Sequence, residues 1–511
     1  MIKPVDFEEG LPSRKEGLPS LDMRVLDPTA APRGSKLQPT AYIADSLIVL
    51  ARDAFAVQSA IAKVLPQGVT SQVAPLFRAE LKPLSDTPVL ALHQVNLTYA
   101  STDVPDVDLV RLVGQIRAMV GKRSVDLDHV VTTAPYVAGV PYVAGVPYVA
   151  GVPYVAGVPY VAGVPYVAGV SAMQQYGIPG FGGRAPVALL VPDPALTAPV
   201  PNRRPTVAVL DTGLGKHPWF GDPALATDKV TYGPYLLGMY GNVPGAQWHQ
   251  APVNPLDGSV GSDAGHGTFI AGLIRQLCPA ARILAIPVMA DDGVVAESGL
   301  MVTLAALLYR HIDGVLNGNP DLVIDVLNLS LGYYHEDGDD ISFDGPLGTL
   351  LSDFGRWGVA VVASAGNSGT TRPMYPAAFA AAPADPNRVP QVTVGALNAD
   401  DTTVAYFSNA GDWVTTHRVG ASLVSTVPTS LAGDAQPAAE LTYKKSNRAT
   451  PDPDQYSSGF ATWSGTSFAG PVLAGQIASA ILCDPDLTTL TPAAFLARGQ
   501  RAVATAVGGR P

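Results

Sequence analysis

The sequence predicts an α/β protein in which a parallel sheet carries helices on both faces, preceded by a smaller α+β unit. Three observations carry this. From about Ala185 onward, strand-like apolar runs alternate with helix-like ones; residues 38–134 run strand, helix, strand, strand, helix, strand; and six identical PYVAGV copies, Pro135 to Val170, lie between. Regular alternation of strands and helices is the pattern of a parallel sheet covered on both sides.

In the first unit SLIVLA reads as a strand and DAFAVQSAIAKVL as an amphipathic helix. VAPLFRAELK and PVLALHQVNL alternate like two strands, DVDLVRLVGQIRAMVG is a helix bounded by Asp and Gly, and VDLDHVVTT closes the unit as a strand. This order is that of a ferredoxin-like unit. Four zones result: a tail at 1–37 rich in proline and charge, the ferredoxin-like unit at 38–134, the repeat and a glycine-rich linker at 135–183, and the large domain at 184–511.

The large domain reads TVAVLD, GTFIAGLIRQL, RILAIPVM, LMVTLAALLYRHI, VIDVLNLS, LLSDFGRWG, VAVVASAG and VTVGAL, strands alternating with helices. Ligands of such sheets bind at the carboxyl ends of the strands.

The 511 residues suffice for two or three cores, and an apolar share of 47% with 15% charged residues suits folded protein. A net charge of −11 argues against nucleic-acid binding through phosphates. Two cysteines, Cys278 and Cys483, exclude a disulfide scaffold and read as buried or half-buried thiols. MIKPVDFEEG has acids where a secretory signal carries bases, so the expectation is a cytoplasmic protein, with secretion following only if a further segment precedes this start. The long uncharged run around the repeat has a proline at every sixth position, so no membrane span is expected there.

Three short stretches carry chemistry. VAVLDTG ends a buried strand at Asp211, DAGHGTFIAG opens a helical run at His266, and WSGTSFAGP opens another at Ser467. A serine nucleophile needs a base for its proton and a carboxylate to fix that base's tautomer. VVASAGNSG adds Asn367 at a strand end, an amide donor for a developing oxyanion beside the Ser467 backbone N–H.

In this order and spacing, from about Pro205 to Ala480, the chain resembles the subtilisin-like serine peptidases (subtilases). The resemblance implies a subtilisin-like fold, a triad of Asp211, His266 and Ser467 with Asn367 in the oxyanion hole, and serine endopeptidase activity on protein or peptide substrates. NLSLG at Asn328 resembles the strand that pairs with extended substrate; YPAAF at Tyr375 and FSNAG at Phe407 match further landmarks. By resemblance Ser330, Leu331, Gly332, Ser364, Ala365 and Gly366 wall the pocket for the side chain before the cut bond, which implies an apolar or aromatic preference. No cofactor is expected; calcium is the family's usual ion, but no site maps onto these residues. Phe269 stands where many relatives have a second histidine, and Pro428–Phe460 reads as a surface insertion. His217 reads as a packed loop residue.

The first unit resembles the family's N-terminal propeptides in element order, which implies an intramolecular inhibitor or chaperone. The repeat then reads as a semi-stiff spacer, or as a string of Val-Pro-Tyr self-cleavage sites. The competing reading of the whole chain is a catalytically silent peptide-binding protein. A serine-carboxyl peptidase is disfavoured by His266 and Asn367, and an elastomer by the two globular flanks.

Overall fold

Strands buried on both faces read as unbroken apolar runs, and Thr206–Asp211, wholly buried, is such a strand at the centre of the large domain. In the computed structural model, which describes residues 22–26, 37–76, 92–121, 124–133, 176, 183–233, 235–239, 253, 258–336 and 345–508, it lies within a seven-stranded parallel sheet. The order is Thr416–Val419, Val392–Leu397, Ala360–Ser364, Val326–Leu329, Thr206–Asp211, Arg282–Pro287 and the short Ala226–Thr227.

Side chains alternate across each strand and define two cores. Val207, Val209, Val362 and Val394 pack with Phe269, Ile270 and Ile274 of the helix His266–Leu277 and with Leu473 and Ile477 of the helix Thr466–Leu482. Ala208, Leu210, Leu327 and Val361 face the opposite way, onto Leu300, Leu304 and Leu307 of the helix Glu297–Asn317 and Phe354 of the helix Pro346–Arg356. The helix Glu297–Asn317 is long and apolar enough to cross a membrane by composition, but most of its apolar side chains are buried in this core.

The N-terminal unit has its own core around Leu47, Val57, Ile61, Leu112, Ile116 and Leu127. Its antiparallel sheet runs Val125–Thr133, Thr40–Leu50, Leu92–Tyr99, Val69–Pro75, with the helices Ala54–Val64 and Leu109–Val120 between strands. That is the 4-1-3-2 order of a ferredoxin-like unit. Two sequence expectations shift. The tail read at 1–37 contains a strand, Met23–Leu26, paired with Thr40–Ile43; of the stretch VAPLFRAELK, Val73–Pro75 ends the strand Val69–Pro75 and residues 77–82 lie outside the described residues. The PYVAGV repeat lies outside the described residues.

The last strand of this unit belongs to both parts. Its first half pairs with Thr40–Leu50, and its second half inserts between Val294–Ala296 and Leu331–Gly332 of the large domain, antiparallel to both.

In the insertion read at Pro428–Phe460, only the hairpin Glu440–Tyr443 with Ser446–Ala449 projects as exposed strand; Leu431, Asp454 and Tyr456 anchor its ends in the fold. Cys278 is buried, but Cys483, expected to be at least half-buried, is exposed because the helix ends there, one residue past its last packed turn.

Candidate active site

Asp211 is the last residue of the central strand, and His266 is the first residue of a helix that crosses beside it. The helix approaches closely because Gly267 carries no side chain: a Cβ there would lie 2.4 Å from the Gly213 carbonyl oxygen. Gly267 N donates to Thr212 Oγ1 at 3.0 Å and fixes the crossing. His266 Nδ1 then donates to Asp211 Oδ1 at 2.8 Å and Oδ2 at 2.9 Å, both residues being fully buried. Burial alone would lower the imidazole pKa, but the Asp211 charge and hydrogen bond, with Asp263 adding to them, hold it above its ordinary value. The tautomer is set by this pair, since a carboxylate only accepts. Nε2 is thereby left as the basic nitrogen, and among the described residues it has no hydrogen-bond partner.

Ser467 is the second residue of the helix Thr466–Leu482, where unpaired backbone N–H groups and the helix dipole favour negative charge. Its Oγ is 3.4 Å from the Ser330 carbonyl. Asn367, three residues past the strand Ala360–Ser364, is held by its amide oxygen, which accepts from Thr466 N and Thr466 Oγ1, each at 2.8 Å. That grip orients the amide, and Nδ2 is a buried donor with no partner among the described residues. Of the four residues singled out in the sequence, Asp211 and His266 are joined directly, and Asn367 is tied to Thr466 beside Ser467; Phe468, the residue after Ser467, packs against His266.

The six residues read as pocket walls divide. Ser330 Oγ donates to the Ser467 carbonyl at 2.8 Å and accepts from Asn328 Nδ2, and Ser364 Oγ lies 2.9 Å from where a Gly470 Cβ would stand. Both hydroxyls thus point under the helix, and only the backbones of these serines face the groove. The Leu331 side chain and Ala365 join the core, and the Leu331 backbone pairs with Thr133. Between Gly332 and Gly366 lies a residue the sequence reading missed. Met374 Cε is 2.7 Å from a Cβ built on Gly332, and its Sδ is 2.6 Å from one built on Gly366.

His266 is backed by aromatic rings. Trp463 and Phe468 stand with centroids 5.5 and 5.1 Å from it, and Phe269 packs on both. Arg184, buried over Trp463, clamps the carbonyls of Gly261 and Ser262 just before the histidine, at 2.7 Å each. His217 packs among Trp219, Phe220 and Phe460; burial lowers its pKa to about 4, and it accepts from Trp219 N as a neutral structural ring.

The end of the strand Val125–Thr133 lies along Leu331–Gly332. Thr132 stands opposite Gly332 and Thr133 opposite Leu331, while Thr133 N donates to the Gly293 carbonyl at 2.9 Å. Behind this strand His129 lies with Nδ1 2.8 Å from Glu297 and Nε2 3.0 Å from Glu336, stacked on Tyr333. Arg117 bonds Asp126 at 2.7 Å and reaches Glu336 at 3.4 Å, and His335 lies beside both carboxylates. Asp126, His129, His335 and Glu336 hold one donor atom each within 4.8 Å of one another. With Arg117 on two of the acids and both His129 nitrogens on carboxylates, the group is a buried ion-pair network, and its imidazoles do not suit calcium. A usable signal was present in the sequence: VDLDHVV places charges within an otherwise apolar strand.

Residues 202–499, more than half of the chain, match the family model described as Subtilase family. The chain is 28% identical over 310 residues to serine protease AprX of Bacillus subtilis (strain 168), an alignment covering 55% of this chain and 58% of that protein. It is 27% identical over 190 residues to subtilisin-like protease het-Q2 of Podospora anserina, covering 33% and 47%. The chain thus spans about half the length of these curated relatives. A crystal structure of a cold-adapted subtilisin-like serine proteinase aligns at 21% identity with a TM-score of 0.37, covering 63% of this chain and 90% of that one. By its sequence match to the family model, this chain belongs to the subtilase family.

Proposed function

We propose that the chain is a serine endopeptidase. Ser467 Oγ attacks the substrate carbonyl, His266 Nε2 takes the hydroxyl proton and returns it to the leaving amine, and Asp211 holds the imidazole and stabilises its charge. Asn367 Nδ2 and the Ser467 backbone N–H receive the oxyanion. The observation that carries this is the buried Asp211–His266 pair at 2.8 and 2.9 Å, which leaves Nε2 as the free base, in a chain where Asn367 is held by the residue before the helix-terminal Ser467. The mechanism calls on side chains and backbone of the chain and on no cofactor.

The N-terminal unit acts as an intramolecular inhibitor or chaperone, its last strand lying where extended substrate would pair. Met374 shortens the pocket before the cut bond, so small apolar residues are preferred there over the aromatic ones also expected from the sequence. The Val131 side chain, fully buried opposite Val295, argues for an apolar residue two positions earlier than Thr133 in the bound strand. Self-processing within the repeat would give mature N-termini between residues 137 and 167.

Hydrolysis of a peptide panel by wild type and Ser467→Ala tests the reading. Loss of about a millionfold in turnover is expected, the order found for triad loss in subtilisin, a family member. Equal activity in the two proteins ends it.

A further inference from the structure

Thr133 does more than pair its backbone. Its Oγ1 donates to Asp263 Oδ1 at 2.7 Å, and Asp263 is buried three residues before His266. The carboxylate is held before any ligand arrives. Ser262 Oγ donates to its other oxygen at 2.7 Å, Asp263 N donates to the Asp291 carbonyl at 3.0 Å, and Arg184 grips the two carbonyls just ahead of it. Room for the hydroxyl comes from Gly293, where a Cβ would stand 2.6 Å from Thr133 Oγ1.

The strand register identifies which substrate position this is. Thr133 faces Leu331, one residue short of Ser330, whose carbonyl contacts the Ser467 hydroxyl. A substrate bound in the same register puts its cut bond after the residue facing Ser330, so the Thr133 side chain stands in the second position before the cut. We infer that Asp263 makes this subsite selective for a hydroxyl side chain, threonine or serine. The inference rests on the peptidase reading above and names a specificity of the same groove. A valine there matches threonine in shape but leaves a buried carboxylate oxygen unpaired, which a site built around a hydrogen bond rejects.

The test uses two peptides differing only by Thr or Val at that position, hydrolysed by the full-length chain and by its Thr133→Val form, in which the resident strand holds the groove less tightly. Threonine is expected to be favoured by about tenfold or more in kcat/KM. Asp263→Ala should bring the ratio near one whatever it does to the overall rate. A carboxylate acting only through His266 would slow both peptides equally and leave the ratio intact, which overturns the inference. Equal rates in wild type also overturn it while leaving the peptidase reading standing. Absence of any Ser467-dependent hydrolysis sinks the peptidase reading instead. Binding of the two peptides, fluorescently labelled, to full-length Ser467→Ala then decides the subsite alone: tighter binding of the threonine peptide supports it, and equal binding overturns it.

Discussion

Asp128 of the N-terminal unit caps the helix Glu297–Asn317 of the large domain through Ser298. Its Oδ1 accepts from Ser298 N at 3.0 Å and its Oδ2 from Ser298 Oγ at 2.7 Å, while the helix's own N-cap, Ala296, offers no side-chain acceptor. The carboxylate also meets the positive end of the helix dipole. Ser46 Oγ, donating to the same carboxylate at 2.7 Å, ties the cap back to the first strand of its own unit. Removing a side-chain cap costs roughly 1–2 kcal/mol. Asp128→Ala is therefore expected to lower the full chain's unfolding free energy by about that amount, read from urea denaturation with the slope unchanged. Coincident curves for variant and wild type would show that the helix does not depend on this cap.

Asn367→Ala removes one oxyanion donor and leaves the nucleophile and base in place. A fall in kcat of about 10²–10³ with little change in KM is expected, the range found for the equivalent removal in subtilisin. Because Thr466 N and Oγ1 lose their acceptor together, Asn367→Asp is the informative companion. It keeps that acceptor and replaces the donor by a repelling charge. If the aspartate form retained wild-type turnover, Asn367 would be a structural brace and no more.

The four chemistry-bearing residues were legible in the sequence because each sits at an element end marked by a local signal: a strand running into Asp211-Thr212-Gly213, glycines around His266 and Ser467, and a strand exit at Asn367. The alternating apolar runs likewise located the parallel sheet. Met374 was not legible, since a methionine before YPAAF has no periodic or chemical signature and matters only through its approach to Gly366 and to Gly332, 42 residues away. That the hydroxyls of Ser330 and Ser364 turn under the helix Thr466–Leu482 was not legible, because residue type does not tell which way a strand side chain points when a helix covers one face. VDLDHVV marks buried charge on the strand, but the network around His129 joins residues from 117 to 336, and which partners meet at that separation leaves no local pattern.

Met374→Ala should open the space between Gly332 and Gly366. Cleavage of peptides with Phe or Tyr before the cut bond is expected to rise about tenfold or more relative to those with Ala, since each buried methylene adds about 0.8 kcal/mol of apolar transfer. The ratio of kcat/KM values for Phe and Ala peptides, compared in wild type and variant, reads this directly. An unchanged ratio would mean that Met374 is packing behind the pocket and not its floor.

Docking of the N-terminal strand should weaken as pH rises. Both His129 nitrogens face carboxylate oxygens that only accept, so the ring bonds both as an imidazolium. The charges around it are Glu297 at the head of its helix, Glu336 and His335 after Leu331–Gly332, Asp126 on its own strand and Arg117 from the helix Leu109–Val120. Three carboxylates against one guanidinium leave room for two further positive charges, on His129 and His335. Burial opposes charging of His129, but its bonds to Glu297 and Glu336 raise its pKa well above 6.5. For His335, burial again opposes and Asp126 raises. A raised histidine pKa contributes stability that is complete below the unfolded value, near 6.5, and is lost as pH climbs through the folded value. Glu336 works at the acid end: burial would raise its pKa, yet hydrogen bonding to His129 and the charges of His335 and Arg117 depress it, so its contribution holds above about 4.5 and fades only in strong acid. Glu297, raised by burial more than His129 lowers it, also loses stability as pH rises, beginning from its unfolded value near 4.5. Amide exchange of Val125–Thr133 in the Ser467→Ala chain, corrected for intrinsic rates, should therefore be slowest in mild acid and accelerate above neutrality. His129→Gln should flatten the alkaline limb. Exchange protection that stays level from pH 5 to pH 9 would mean that the network carries no proton-linked grip on the strand.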